Sequence, residues 1–168
     1  MPGTTTGRLV GAALELFGAK GFGPVGVGSI AEAAGVTTGS LYHHFGSKAG
    51  LYQLVRTDVE QRVVDRLEGA AAARSVRSTA DLAPVLLIGF DYLVRSGFAR
   101  LLGEPAPEPA DGSDGADPIE QLIGRLIPSP PPTGALIAAA WRAALWYASD
   151  GPEAARDARA ALDLLLAG

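Results

Sequence analysis

A short run of hydroxyl and imidazole side chains holds the clearest chemistry in this sequence. Thr37, Thr38 and Ser40 can donate and accept hydrogen bonds, and Gly39 leaves the backbone between them bare. A pair of histidines follows at positions 43 and 44. Small polar side chains at the start of a helix let its backbone approach base edges closely, and their hydroxyls can bond bases or phosphates.

Two short helices must position this run. Apolar residues at helical spacing predict the first of them: Val27, Ile30, Ala31 and Ala34. Gly35 suits a left-handed helix end, where a β-carbon would cost about 1 kcal/mol or more. Thr37 is an N-cap for a second helix over 38–45, which turns Leu41 and Phe45 inward. This pattern predicts a helix-turn-helix, whose second helix enters the major groove of DNA.

A third helix begins at Ser47 and carries Lys48 in its first turn. The helix dipole mildly disfavours a cation there, so we expect Lys48 to contact a phosphate. We also expect His43 to contact bases. Tyr42 is a phosphate contact or a structural tyrosine, and His44 packs or contacts a phosphate.

These residues resemble the DNA-binding domain of the TetR family of transcriptional regulators. The resemblance covers about residues 8–56 and rests on matches in order and spacing: Arg8, Leu16-Phe17, Gly21-Phe22, Ile30-Ala31, Ala34-Gly35-Val36-Thr37, Gly39, Leu41-Tyr42, His44-Phe45 and Lys48. It implies an all-α fold, with a three-helix helix-turn-helix domain at 1–50 and a helical effector-binding and dimerisation domain at 51–168. It also implies a repressor that binds a double-stranded, palindromic DNA operator through the following residues: Thr37, Thr38, Gly39, Ser40, Tyr42, His43, His44 and Lys48.

The start of the helix that precedes the turn, the one containing Val27 to Ala34, departs from the family pattern. A hydroxyl cap and a following basic residue are usual, whereas this chain has Val25, Gly26, Val27 and Gly28. Gly26 is a tolerable cap, and Ser29 is an alternative. Fewer phosphate contacts predict weaker non-specific binding and a shallower salt dependence. A protein that keeps this fold for small-molecule binding or dimerisation, with DNA binding weakened or lost, is therefore a second interpretation.

Composition narrows the class of protein. The chain of 168 residues has a net charge of −4, yet residues 1–50 carry three cations and two anions and are weakly positive. Without cysteine there is no disulfide or thiolate metal site, and no apolar run approaches the ~20 residues of a membrane span. We expect a cytoplasmic protein without a membrane partner.

Helical periodicity continues to the end of the chain. It predicts helices over 48–73, 78–97, 98–103, 117–127, 134–149 and from 150 onward, with a mobile loop at 103–116. Charged residues on the longest helix are expected on its solvated faces: Arg56, Asp58, Glu60, Arg62, Asp65 and Arg66.

The last helix carries an apolar stripe: Ala155, Ala158, Leu162, Leu165 and Leu166. Exposed leucines so close to the C-terminus would be costly, so a partner surface is expected. The resemblance implies a homodimer through the two C-terminal helices. It also implies a cavity for a small-molecule effector, neutral and apolar because few charges are available, although each candidate is also a plausible core or dimer residue: Leu86, Phe90, Tyr92, Leu93, Trp141 and Trp146.

Other chemistry finds little support. Residues 21–26 fit G-x-G-x-x-G, but a dinucleotide site needs a preceding strand, and here a helix precedes. Adjacent histidines on a helix diverge, which argues against a metal site. An all-α enzyme remains a third interpretation, although paired carboxylates and a nucleophile–base constellation are lacking. We expect no enzyme activity and no cofactor.

Overall fold

A computed structural model describes residues 3–105, 107, 117–127, 129–130 and 132–167. Within these residues all regular structure is helical, in agreement with the predicted all-α class. The helices are α1 (Thr5–Lys20), α2 (Val27–Ala34), α3 (Thr38–Phe45), α4 (Lys48–Ala72), α5 (Thr79–Arg95), α6 (Ala99–Gly103), α7 (Pro118–Leu126), α8 (Thr133–Ala148) and α9 (Pro152–Ala167).

The first three helices form the predicted helix-turn-helix with a bracing helix. Gly35 ends α2 in the left-handed conformation, with φ of 62°, and the Thr37 side chain accepts a hydrogen bond from the Ser40 N–H at the start of α3. α1 packs on α2, α3 and α4, and its Leu9 and Phe17 are fully buried. The sequence signals for the turn and both caps are thus confirmed.

The remaining helices pack around α4 and α5. α8 contacts α5, α6, α7 and α9, while α1 reaches α6. One continuous apolar core runs from Leu9 to Leu166. The predicted helix starts at Ser78 and Asp117 are also confirmed, because both side chains cap backbone N–H groups there. The predicted mobile loop over 103–116 falls largely outside the described residues.

The prediction for the charged face of α4 was wrong at Arg56 and Glu60. Arg56 is 6% exposed, and its guanidinium donates hydrogen bonds to the carbonyls of Leu101 at 2.6 Å and Glu104 at 2.9 Å. The Glu60 carboxylate lies between Arg56, at 3.6 Å, and Arg142, at 2.9 Å. A charged side chain can be buried once it is paired and hydrogen-bonded, and the end of α6 supplies the acceptors.

The structure divides the predicted stripe on α9. Ala155, Ala158, Leu162 and Leu166 are buried within the chain, whereas Leu165 is 64% exposed and available to the expected partner surface. In the described part of the chain, no helix combines the length and apolarity required to cross a bilayer.

Candidate DNA-binding surface

The α3 helix presents a polar outer face and an apolar inner one. Leu41 is fully buried in the core, where α3 packs on α1, α2 and α4. Six of the predicted contact residues on α3 and at its cap are exposed: Thr37, Thr38, Gly39, Tyr42, His43 and His44. The slender first turn of α3 is therefore free to approach a groove edge.

The two hydroxyls at the start of α3 are tied to each other. Thr37 Oγ1 and Ser40 Oγ lie 3.0 Å apart in a hydrogen bond, and Thr37 Oγ1 also accepts from the Ser40 N–H at 3.2 Å. Ser40 is half-buried, whereas Thr38 is exposed. Of the two hydroxyls predicted to contact bases, those of Thr38 and Ser40, the Thr38 hydroxyl is therefore the more accessible.

The adjacent histidines make an edge-to-face pair. Their ring centres are 5.2 Å apart, with an angle of 69° between the ring planes. No group of three potential metal-ligating side chains occurs among the residues that the structure describes.

Lys48 lies against the turn between α1 and α2. Its ammonium donates hydrogen bonds to the carbonyls of Phe22 at 2.9 Å and Val25 at 3.0 Å, and it lies 4.0 Å from the centre of the Phe22 ring. An ammonium has three N–H donors, so one remains for another acceptor. Its phosphate contact stays a prediction.

The N-terminus of α2 lacks a side-chain cap, as its glycines suggested. Gly26 occupies the cap position without a side-chain hydrogen bond to α2. The alternative cap, Ser29, instead donates its hydroxyl to the Gly26 carbonyl at 2.7 Å. The first N–H groups of α2 thus have no side-chain acceptor at the cap position.

Sequence reasoning missed a polar cluster behind this surface. A single carboxylate oxygen of Glu104 accepts from the Phe22 N–H at 2.8 Å and from the Tyr52 hydroxyl at 2.7 Å. Burial, and then the hydrogen bond to Glu104, raises the pKa of Tyr52 well above its ordinary range. The partners lie 82 and 52 positions apart in the chain, so no local pattern reveals them.

Four of the six predicted pocket residues belong to the buried core, and the pocket itself stays a prediction. Leu86, Phe90, Leu93 and Trp141 are buried in the core, and the Trp141 indole N–H donates to the Leu86 carbonyl at 3.0 Å. Tyr92 is half-buried beneath the Arg66 guanidinium. Trp146 is 46% exposed, so its place in a pocket stays a prediction.

The α8 and α9 helices leave an apolar surface outside the core. Several of their large side chains are exposed: Leu136, Trp146, Tyr147, Leu164 and Leu165. Between them a groove is lined mainly by small and apolar residues, including Ala144, Ala158 and Leu162. An apolar groove bordered by the exposed Tyr147 and Leu165 is typical of an interaction site, whereas Trp146 lies against Arg100 of α6.

Comparison with known proteins agrees with this arrangement. The family profile for bacterial regulatory proteins of the tetR family matches residues 9–55. Over 98 residues the chain is 43% identical to the HTH-type transcriptional regulatory protein RaaS of Mycobacterium tuberculosis, an alignment that covers 55% of this chain and 45% of RaaS. The match thus spans less than half of that relative.

Solved structures show the same fold over nearly the whole chain. A tetR family transcription regulator from Shewanella sp. PV-4 superposes with a TM-score of 0.67 at 23% identity, covering 97% of this chain and 96% of the other. FadR from Bacillus subtilis, in complex with stearoyl-CoA, gives 0.62 at 15% identity, covering 96% and 97%. The helix-turn-helix segment thus matches the tetR family of bacterial regulatory proteins, and the chain as a whole has the fold of solved TetR family regulators.

Proposed function

We propose that the protein is a sequence-specific DNA-binding regulator that reads a palindromic operator as a homodimer in the cytoplasm. The observation that carries this proposal is the exposed outer face of α3 beside the buried Leu41. Thr38, Gly39, Ser40 and His43 would contact base edges in the major groove. Phosphates would be held by Thr37, Tyr42, His44 and Lys48.

The α8 and α9 surface supports the homodimer. Leu164 is 81% exposed and Leu165 is 64% exposed, and a second copy of the same surface would remove both from water. A two-fold dimer would set two α3 helices about 34 Å apart, one turn of DNA.

We further propose a repressor that an apolar effector releases from its operator. The stearoyl-CoA complex of Bacillus subtilis FadR supports this effector class, because that ligand carries a long apolar chain in a similar fold. The core is tightly packed where Gly89 meets Trp141: a β-carbon on Gly89 would lie 2.8 Å from the Leu67 side chain and 3.3 Å from the Trp141 ring. An effector would therefore bind a more open conformation and shift the population toward it.

Selection of bound sequences from a random duplex pool tests this proposal. Recovery of a motif with dyad symmetry is the expected result, and it would also supply the operator. Retention of no duplex, even at low salt, would overturn the proposal.

The second candidate keeps the fold without operator binding. The absence of a hydroxyl side chain at the α2 cap position and the engagement of the Lys48 ammonium by two carbonyls favour it, since both reduce the side-chain donors available to phosphates. Such a protein would bind an apolar ligand but no DNA of any sequence. The same selection, combined with ligand titration, separates the two candidates.

A further inference from the structure

Glu104 joins three parts of the molecule that are distant in sequence. It follows directly after α6, and its own N–H donates to the Arg100 carbonyl of that helix at 3.0 Å. Its carboxylate accepts from Phe22, in the turn between α1 and α2, and from Tyr52 on α4. This one side chain therefore holds the turn that leads into the DNA-binding helices against the body.

The site is built for this contact. Gly21 has a positive φ of 77°, and a β-carbon there would lie 3.3 Å from the Glu104 carboxyl carbon. The Tyr52 ring packs edge-on against Phe17 and Phe22, each at 5.0 Å between ring centres, which directs its hydroxyl toward Glu104. Carboxylate hydrogen bonds in such partly buried places are stronger than neutral ones.

Further polar contacts continue from this carboxylate toward α8. The Arg56 guanidinium donates to the Tyr52 hydroxyl at 3.3 Å and lies 3.6 Å from the Glu60 carboxylate. Glu60 in turn pairs with Arg142 of α8, the helix that borders the proposed dimer surface. The turn before α2 is thus linked to that helix through charged and hydrogen-bonded side chains.

We propose that Glu104 is a positioning residue for operator binding: its carboxylate fixes the α1–α2 turn to α4 and α6 and thereby sets the spacing of the two reading helices in the dimer. This inference rests on the proposed DNA-binding function. Glu104 touches no predicted DNA contact itself. Loss of the carboxylate should therefore lower the affinity of the dimer for a duplex with both half-sites. It should leave the affinity for a duplex with a single half-site unchanged.

Duplexes obtained by selection with the wild-type protein test this inference. One duplex carries both half-sites, and a second has one half-site scrambled. Affinities are measured below the melting temperature of every variant. Glu104→Ala should weaken binding to the full site by about tenfold, within the usual range of coupling between sites, and leave the half-site affinity unchanged. Glu104→Gln keeps an acceptor oxygen and should restore most of the loss.

Glu68→Gln is the matched control, because Glu68 makes an exposed ion pair with Arg125 at 2.7 Å. It should change neither affinity. Equal weakening of the full site and the half-site in Glu104→Ala, or no weakening, would overturn the inference while the proposed function stands. If selection with the wild-type protein recovers no duplex, the proposed function fails, and the inference fails with it.

A second readout needs no DNA and allows for a poorly folded alanine variant. The Phe22 N–H donates to the Glu104 carboxylate at 2.8 Å, so this amide should exchange slowly with deuterium in the wild-type protein. Glu104→Gln keeps an acceptor oxygen and should preserve most of that protection. Glu104→Ala should lose it, while the amide of the buried Val59 in α4 stays protected in both variants and reports that they are folded. A Phe22 amide that exchanges as fast as a free amide in the wild-type protein would overturn the inference.

Discussion

The Lys48 ammonium lies 4.0 Å from the centre of the Phe22 ring and donates a hydrogen bond to the carbonyl of the same residue at 2.9 Å. Phe22 is thereby held on both sides, since Glu104 accepts its N–H at 2.8 Å. The predicted phosphate ligand and the inferred positioning residue meet at one turn. Substitutions of Lys48 and of Glu104 should therefore have different effects on DNA binding, which the measurements below distinguish.

Lys48→Ala should weaken binding to every sequence by about the same factor and lower the salt slope by about one. The substitution removes one phosphate contact, so one counterion fewer is released when the protein binds. Lys20→Ala, which removes an exposed charge at the end of α1, is the control. A changed base preference would show that Lys48 is misassigned. A loss of affinity with an unchanged slope would show that it acts through the Phe22 turn alone.

Thr38→Ala should alter base preference, because Thr38 is exposed at the first turn of α3. Ser40→Ala should do so as well, although the Ser40 hydroxyl is shared with Thr37. Repeating the random-pool selection with each variant checks this. Thr57→Ala removes a hydroxyl from an exposed position of α4 and should recover the wild-type motif. A hydroxyl whose loss leaves the motif unchanged does not read bases.

Asp117→Asn should destabilise the protein at neutral pH by about 2 kcal/mol, as expected for a hydrogen bond between charged groups. Burial opposes the charged form of Asp117, but the hydrogen bonds and charge of Arg142, with the Ile119 and Glu120 amides, outweigh it and hold the pKa below its ordinary value of 3.8. Asparagine keeps the cap of α7. The substitution therefore removes the negative charge of Asp117 and leaves its capping role intact.

The pH dependence of this effect has a definite sign. Because the folded-state pKa of Asp117 is lowered, its stabilisation is present above the ordinary value of 3.8 and is lost as the pH falls through the folded-state pKa. Urea unfolding across acid pH should show the variant and the wild type converging. Asp91→Asn, in a more exposed pair with Arg159, should cost under about 1 kcal/mol. A constant gap at all pH values would contradict the assignment.

Leu165→Glu should convert the proposed dimer into a monomer, because it places a charge on the apolar surface of α8 and α9. Sedimentation at micromolar concentration measures the change. Leu54→Glu is the control, since Leu54 is 45% exposed on α4 and away from that surface. A Leu165→Glu protein that remains a dimer would place the interface elsewhere.

Trp146→Phe leaves Trp141 as the only tryptophan, because the chain has two. An apolar effector that enters beside Leu86 and Phe90 should then change the emission of Trp141. Stearoyl-CoA is a suitable probe of this class. Emission that stays constant across the titration would argue against this pocket for that ligand.

The sequence predicted the helix-turn-helix closely because its signals are local. Gly35, Thr37 and Ser47 each act within a few residues, and in the structure α2 ends, and α3 and α4 begin, where those signals indicate. Periodicity likewise predicted the core positions of α4, such as Val59 and Val63.

The polar cluster could not be predicted, because its partners are far apart in the chain. A helical wheel places Arg56 beside other charged residues, but it cannot reveal that the carbonyls at the end of α6 lie against it. Glu104 and Tyr52 are ordinary residues in sequence and become a site only when α6 packs on α4. Similarly, the spacing of the α9 stripe does not distinguish Leu162 and Leu166, which the chain itself buries, from Leu165, which it leaves exposed.

The central claim is that two copies of α3 in a homodimer contact neighbouring major grooves, and changing the distance between the two half-sites tests it most directly. The wild-type protein is titrated into the selected duplex and into a second duplex with about 5 base pairs inserted between the half-sites. The insertion is about half a turn of DNA, so it moves the two half-sites from the same face to opposite faces of the duplex. The affinity and the number of bound chains are compared between the two. The account predicts two chains on the selected duplex and loss of most affinity after the half-turn insertion. Equal affinity for both duplexes, or one chain per duplex, would contradict it.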